Sequence, residues 1–141
     1  MGYIYENELG NKELKLSVRG SMRSPVTTVS ISESVSSLMS RMVDQNIGAV
    51  IVVEKGKPVG IITERDILER VLTGNKDVYH TSAKDIMSKP LISIHVDRSI
   101  KEALDLMRKH KIRRLAVMEN EILVGLVTER RILDGFFSQI Y

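Results

Sequence analysis

The chain has 141 residues, 43% hydrophobic and 28% charged, with a formal net charge of +3 and a sequence pI near 9.2. That length suits one ordinary domain or two small repeats sharing a core, and the composition excludes a disordered chain. There is no cysteine, so disulfides and thiolate metal sites are excluded.

No apolar run approaches the roughly 20 residues that span a bilayer, and residues 1–10 lack the basic-then-apolar layout of a secretory signal. A cytoplasmic protein with no membrane partner is expected. Four Tyr, two Phe and no Trp leave little material for stacking single-stranded nucleic acid.

Residues 1–16 match nothing else in the chain and read as an N-terminal extension. Glu8 to Leu16 has enough helix formers for a turn or two, weakened by Gly10 and Asn11. From Ser17 the chain repeats itself without a gap at an offset of 65 positions, the strongest organising signal a sequence can carry. Ser17-Val18-Arg19 is answered by Ser82-Ala83-Lys84, Met22 and Pro25 by Met87 and Pro90, and Met42 by Met107. The most complete echo is Val59-Gly60-Ile61-Ile62-Thr63-Glu64-Arg65-Asp66 against Val124-Gly125-Leu126-Val127-Thr128-Glu129-Arg130-Arg131.

Both copies carry the same predicted elements. Val26 to Ile31 and Leu91 to Val96 alternate as short strands beyond a proline boundary. Ser32 and Asp97 are suited to cap the helices that follow, whose apolar residues recur at helical spacing: Val35, Leu38, Met39 and Met42, then Ile100, Ala103, Leu104 and Met107. Gly48 to Glu54 and Arg113 to Glu119 read as buried strands. Tight turns at Lys55-Gly56-Lys57 and Asn120-Glu121 lead into the next strand. A last helix spans about Thr63 to Leu72, and about Thr128 to Phe137.

The fold class is therefore α/β (α+β), two βαββα repeats packed sheet to sheet. Repeat 1 covers 17–72, a turn-rich linker 73–81, repeat 2 covers 82–137, and a tail 138–141.

At these residues the chain resembles the CBS (cystathionine β-synthase) domain, here as a tandem pair or Bateman module. The resemblance rests on Asp85-Ile86-Met87-Ser88-Lys89-Pro90, on Ile112-Arg113-Arg114-Leu115-Ala116-Val117, and on Gly60 through Leu68. It implies a regulatory sensor, not an enzyme, that binds an adenosine-containing ligand (AMP, ADP, ATP or S-adenosylmethionine) between the repeats and signals to a partner protein. It also implies a homodimer forming a four-CBS disc. No cofactor beyond the regulatory nucleotide is expected.

The corner at Thr63 and Asp66 has a chemical logic of its own. Thr63 caps the last helix, and Asp66 lies in its first turn on the same edge, where a carboxylate can accept from both hydroxyls of a ribose. The competing reading is a capping box, in which the acid reaches back to the cap N–H. The second corner, Thr128 and Arg131, departs from the family pattern. Guanidinium has no acceptor, so that corner is expected to be empty, weak or tuned to phosphate.

For phosphate, the resemblance points to Arg114, and strand alternation sends Arg113 and Arg114 to opposite faces, so that one can reach the ligand. For adenine it points to Ser82, Ile86 and Met87, or to their partners Ser17, Ser21 and Met22. Either segment could complete the Asp66 corner.

The basic run 108–114 and the pI support an alternative, a nucleic-acid-binding CBS protein. Arg108, Lys109 and Lys111 also suit a solvated helix end. His80, His95 and His110 are too dispersed for a metal site.

Overall fold

Two three-stranded sheets are built from the same series of elements used twice. The computed structural model describes residues 17–140. In order come α1 (Val18–Ser21), β1 (Thr28–Ser30), α2 (Val35–Gln45), β2 (Ala49–Glu54), β3 (Lys57–Thr63) and α3 (Glu64–Ile67), which runs on as a π-helical stretch over Leu68–Leu72. The series restarts with α4 (Ala83–Ile86), β4 (Ser93–His95), α5 (Ile100–His110), β5 (Arg114–Glu119), β6 (Ile122–Thr128) and α6 (Glu129–Ile140). The helix expected over Glu8 to Leu16 lies outside the described residues. Among the described residues no helix is long and apolar enough to cross a membrane.

Several boundaries differ from the sequence reading, each for a local reason. The first strand of each copy is three residues long, because only Thr28 to Ser30 and Ser93 to His95 find parallel partners. The helix caps are Ser34 and Ser99, not Ser32 and Asp97. The hydroxyls of Ser34 and Ser99 accept from the N–H groups of Ser37 and Glu102, each at 3.1 Å, while Ser32 and Asp97 sit in the preceding turns. Two four-residue helices, α1 and α4, are too short for an apolar period to announce them. Helix α6 runs to Ile140 and takes in residues read as a tail.

The chain divides into two compact units, Val26–Ile92 and Ser93–Tyr141 with the segment up to Pro25. This division does not follow the copies as they run along the chain. In the first unit β1 lies parallel to β2, and β2 pairs antiparallel with β3, in the order β1-β2-β3. The apolar stripe of α2 (Val35, Leu38, Met42) meets Val29, Val50, Val52 and Ile62 in one buried cluster, joined by Ile67 and Val71.

Ala83 and Ile86 of α4 complete that cluster, although they open the second copy. Burying a side chain of isoleucine size is worth about 1.5–3 kcal/mol, so α4 is anchored by its own core contribution. Backbone bonds fasten it on either side. Ala83 N–H donates to the Glu33 carbonyl at 2.8 Å, and Ser88 and Ile61 exchange a pair at 2.8 and 3.1 Å.

The second unit repeats this plan. Its sheet has the order β4-β5-β6, with Leu115, Ala116, Val117 and Val127 fully buried. The segment 17–25 joins it as 82–92 joins the first. Val18 is fully buried, and Arg23 and Leu126 exchange backbone bonds at 2.8 and 3.0 Å. Arg19 ties the segment down by bridging Asp97 and Glu119, at 3.2 and 2.9 Å.

Candidate functional site

The corner between β3 and α3 is built around one carboxylate. Thr63 is the N-cap of α3, its backbone still extended at φ −112° and ψ 166°. Its hydroxyl accepts from Asp66 N–H at 3.2 Å. In return, Asp66 Oδ2 accepts from Thr63 N–H at 2.9 Å and from Thr63 Oγ1 at 3.1 Å. The capping box is therefore formed, and it fixes the carboxylate's orientation.

Asp66 is 8% exposed, unusual for an acid without several partners. Its other oxygen supplies the reason. Oδ1 accepts from Ser88 Oγ at 3.0 Å, with Arg70 Nε 3.8 Å away. Arg70 is itself held by the carbonyls of Ile86 and Met87, at 2.8 and 2.9 Å. A carboxylate has about four acceptor sites, so Oδ1 keeps capacity for a further donor.

The segment that completes this corner is 82–88. Ser88 touches the carboxylate directly, and the Met87 thioether lies against Gly60, where an added Cβ would sit 2.6 Å from Sδ. Of the residues expected at the adenine, Met87 thus reaches the corner. Ile86 turns its side chain wholly into the core. Ser82 caps α4, its N–H and hydroxyl both donating to Asp85 Oδ2, at 3.0 and 2.9 Å. Those two bonds hold the Asp85 carboxyl below its ordinary range.

Two residues of the corner, Ser88 and Arg70, were not singled out from sequence. Ser88 stands inside the Asp85-to-Pro90 motif, but its role depends on a bridge between Ile61 and Ser88 that links residues 27 positions apart. Only the fold displays that pairing.

The second corner keeps the threonine and loses the acid. Thr128 Oγ1 accepts from Arg131 N–H at 3.0 Å, so the cap survives as half a box. The Arg131 side chain donates from Nε to the Ser21 carbonyl at 3.1 Å. Met22 packs on Gly125 as Met87 does on Gly60.

Arg114 opens β5 directly opposite Thr128. Arg113 lies one residue before the strand and lines a cleft of about 540 Å³ with Arg108, Lys111 and Glu129. Both arginines belong to the unit that contains Arg131, not to the one that contains Asp66. Among the described residues no group of His, Asp and Glu is placed to hold a metal. His80 is paired with Asp77 at 2.6 Å, and His95 Nδ1 accepts from Asp97 N–H at 3.1 Å.

The CBS-domain profile matches residues 15–73 and 83–138. The chain belongs to the CBS-domain family. It is a tandem CBS pair, α+β in class, as the repeat and its motifs implied. It is 37% identical over 111 residues to the CBS domain-containing protein YhcV of Bacillus subtilis, the match covering 79% of each chain. It is 40% identical over 114 residues to the uncharacterized protein MK0525 of Methanopyrus kandleri, covering 79% of this chain and 58% of that protein. Among solved structures it is similar to the CBS domain pair of protein MJ0100 in complex with 5′-methylthioadenosine and S-adenosyl-L-methionine. That likeness has a TM-score of 0.76 at 26% identity, over 87% of this chain and 97% of the other.

Proposed function

We propose that this CBS pair is a regulatory sensor whose Asp66 corner binds the ribose of an adenosine-containing ligand: AMP, ADP, ATP or S-adenosylmethionine. The observation that carries the proposal is the Asp66 carboxylate itself. Thr63 holds one oxygen in a box, while the other keeps acceptor capacity beside Met87 and Gly60. Ribose hydroxyls are donors: one fills the remaining acceptor site of Oδ1, and a second is accepted when the Ser88 or Thr63 hydroxyl turns away from the carboxylate. The MJ0100 pair, in complex with two adenosine compounds, supports that ligand class. Binding acts on a partner protein insofar as the ligand prefers one arrangement of the chain.

Isothermal titration of the full chain with AMP, ATP and S-adenosylmethionine tests this reading. Heat from at least one ligand is expected, and Asp66→Ala should abolish it. Folded protein that gives no heat with any of them would sink the idea.

A second copy of the chain is the proposed occupant of the exposed face between α2 and the π-helical stretch. Val43, Leu68 and Leu72 are 78%, 56% and 61% exposed there, around a cleft of about 500 Å³ that also includes Met39, Met42 and Ile47. An apolar patch of this kind on a small protein marks an interface. Self-association on this face gives a homodimer, the four-CBS disc. Sedimentation of the chain against Leu68→Glu should show a dimer falling to monomer; a monomeric parent chain would remove this part of the proposal.

A further inference from the structure

Each unit has one open cleft, and the two clefts are lined by corresponding residues. Met39, Met42 and Ile47 line the first, of about 500 Å³. Their counterparts 65 positions on, Leu104, Met107 and Ile112, line the second, of about 540 Å³. Glu64 and Glu129 correspond as well. The difference lies in charge: Val43, Asn46 and Gly48 of the first cleft answer to Arg108, Lys111 and Arg113 of the second. Three neutral residues stand against three exposed cations, around a lining that is apolar in both.

The cations are not committed within their own unit. Among the described residues no carboxylate lies within ion-pair distance of Lys111 or Arg113, and Arg108 holds only Asp105, in an open surface pair at 3.3 Å. Among the same residues no cation lies within that distance of Asp44, beside Val43 on α2, or of Glu64, whereas Glu33 and Glu69 hold Arg41 and Arg65. The first face thus presents unpaired acids around exposed Val43, Leu68 and Leu72. The second presents unpaired cations around apolar side chains, with Leu133 and Phe136 exposed at 43% and 45% on α6.

Two copies of the second face set against each other would bring three cations to three, a repulsion that burial strengthens. The first face offers the opposite sign together with apolar side chains. Arginine and lysine stems can lie along those side chains while their heads reach the acids. We propose that two copies of the chain join head to tail, the apolar face of the unit 26–92 in one copy seated on the cationic cleft of the other. Made reciprocally, the contact closes a homodimer. The inference rests on the reading of the first face as a self-association surface, and it adds which surface that face meets. A nucleic acid fits the cleft less well, because a phosphate backbone makes no use of its apolar lining.

The chain has no cysteine, so single introduced cysteines report which faces meet. Full-length Val43→Cys and Arg108→Cys chains are treated with a short bismaleimide, separately and as a mixture, after thermal melts establish that both are folded. The mixture is expected to give cross-linked dimer, and either variant alone to give little. Sedimentation equilibrium measures the strength of the contact, which should fall as salt rises. Because a reciprocal dimer makes the contact twice, Glu64→Lys and Lys111→Glu should each weaken it about tenfold. The chain carrying both substitutions should regain part of the loss, since the charges are exchanged between the faces and not removed.

Cross-linking among Val43→Cys copies alone, with no mixed product, overturns the proposal in favour of like face on like face and leaves the self-association reading standing. A parent chain that stays monomeric removes both. A dimer indifferent to salt, to Glu64→Lys and to Lys111→Glu also overturns the head-to-tail contact. An oligonucleotide that binds through Arg108 and Lys111 without dissociating the dimer shows those cations unburied, and overturns it in favour of a nucleic-acid surface.

Discussion

Ser88 Oγ donates to Asp66 Oδ1 across 3.0 Å, joining the head of the second sequence copy to the helix corner of the first. The carboxylate is nearly buried, so this bond offsets part of its desolvation. Ser88→Ala is expected to lower stability by about 1 kcal/mol, the net value of one hydrogen bond, since Thr63 and Arg70 remain. Thr63→Ala removes the cap as well and should cost about 0.5–2 kcal/mol. Urea unfolding measures both, and equal stability of Ser88→Ala and the parent would show that the bond does not persist in solution.

The close approach at Gly60 differs from that at Gly125 in what would have to move. A Cβ on Gly60 would meet Met87 Sδ at 2.6 Å and also the Ser88 carbonyl at 3.0 Å. The three atoms nearest to a Cβ on Gly125 all belong to the Met22 side chain, Sδ at 2.5, Cγ at 2.9 and Cβ at 3.0 Å. Both alanine substitutions should destabilise, by about 1–3 kcal/mol as overpacking does. Met22→Ala removes two of its three contacts and leaves the Cβ at 3.0 Å, so it should recover part of the loss from Gly125→Ala. Met87→Ala leaves the Ser88 carbonyl at 3.0 Å from the new Cβ and should likewise recover part of the loss from Gly60→Ala. Thermal melts of the two double variants decide it.

Ile86→Ala should cost about 2–5 kcal/mol by denaturant unfolding, the range for emptying a core position. This side chain is fully buried in the first unit's core although it opens the second copy. The repeat, the succession of elements and the Thr63–Asp66 corner were legible in sequence, because each depends on neighbours within one copy. The exchange of heads was not. Ala83 and Ile86 make one turn of helix, too short for a period, and their partners lie far back along the chain at Val29, Leu38 and Val50. Ser88 and Arg70 escaped notice for the same reason, since their contacts to Asp66 and to the Ile86 carbonyl exist only once α4 has docked.

Two surface carboxylates set a modest acid limb. Asp85 is held below the ordinary value of 3.8 by the Ser82 N–H and hydroxyl, and Asp77 by the His80 ring and the Tyr79 N–H. A carboxyl whose folded value is depressed binds fewer protons folded than unfolded. Its contribution is therefore complete above about pH 4 and is lost as pH falls through the lower folded value. Asp85→Asn and Asp77→Asn should flatten the decline of thermal stability below pH 4 and leave the neutral range little changed. An acid limb identical to that of the parent would show that these bonds do not outlast exposure to solvent.

Arg131→Asp tests whether the difference between the two corners is a matter of one side chain. Thr128 already accepts from the residue-131 N–H at 3.0 Å, so an acid there can close the second half of a capping box. The substitution gives up the bond from Arg131 Nε to the Ser21 carbonyl and exchanges a cation for an anion. The completed box offsets the lost bond, so stability is expected to change by less than about 1 kcal/mol. Binding should change more. If Asp66 carries the ribose, calorimetry of the Arg131→Asp chain with an adenosine ligand should show a second binding event. A single event of unchanged affinity would mean that position 131 does not decide whether the second corner takes the ligand.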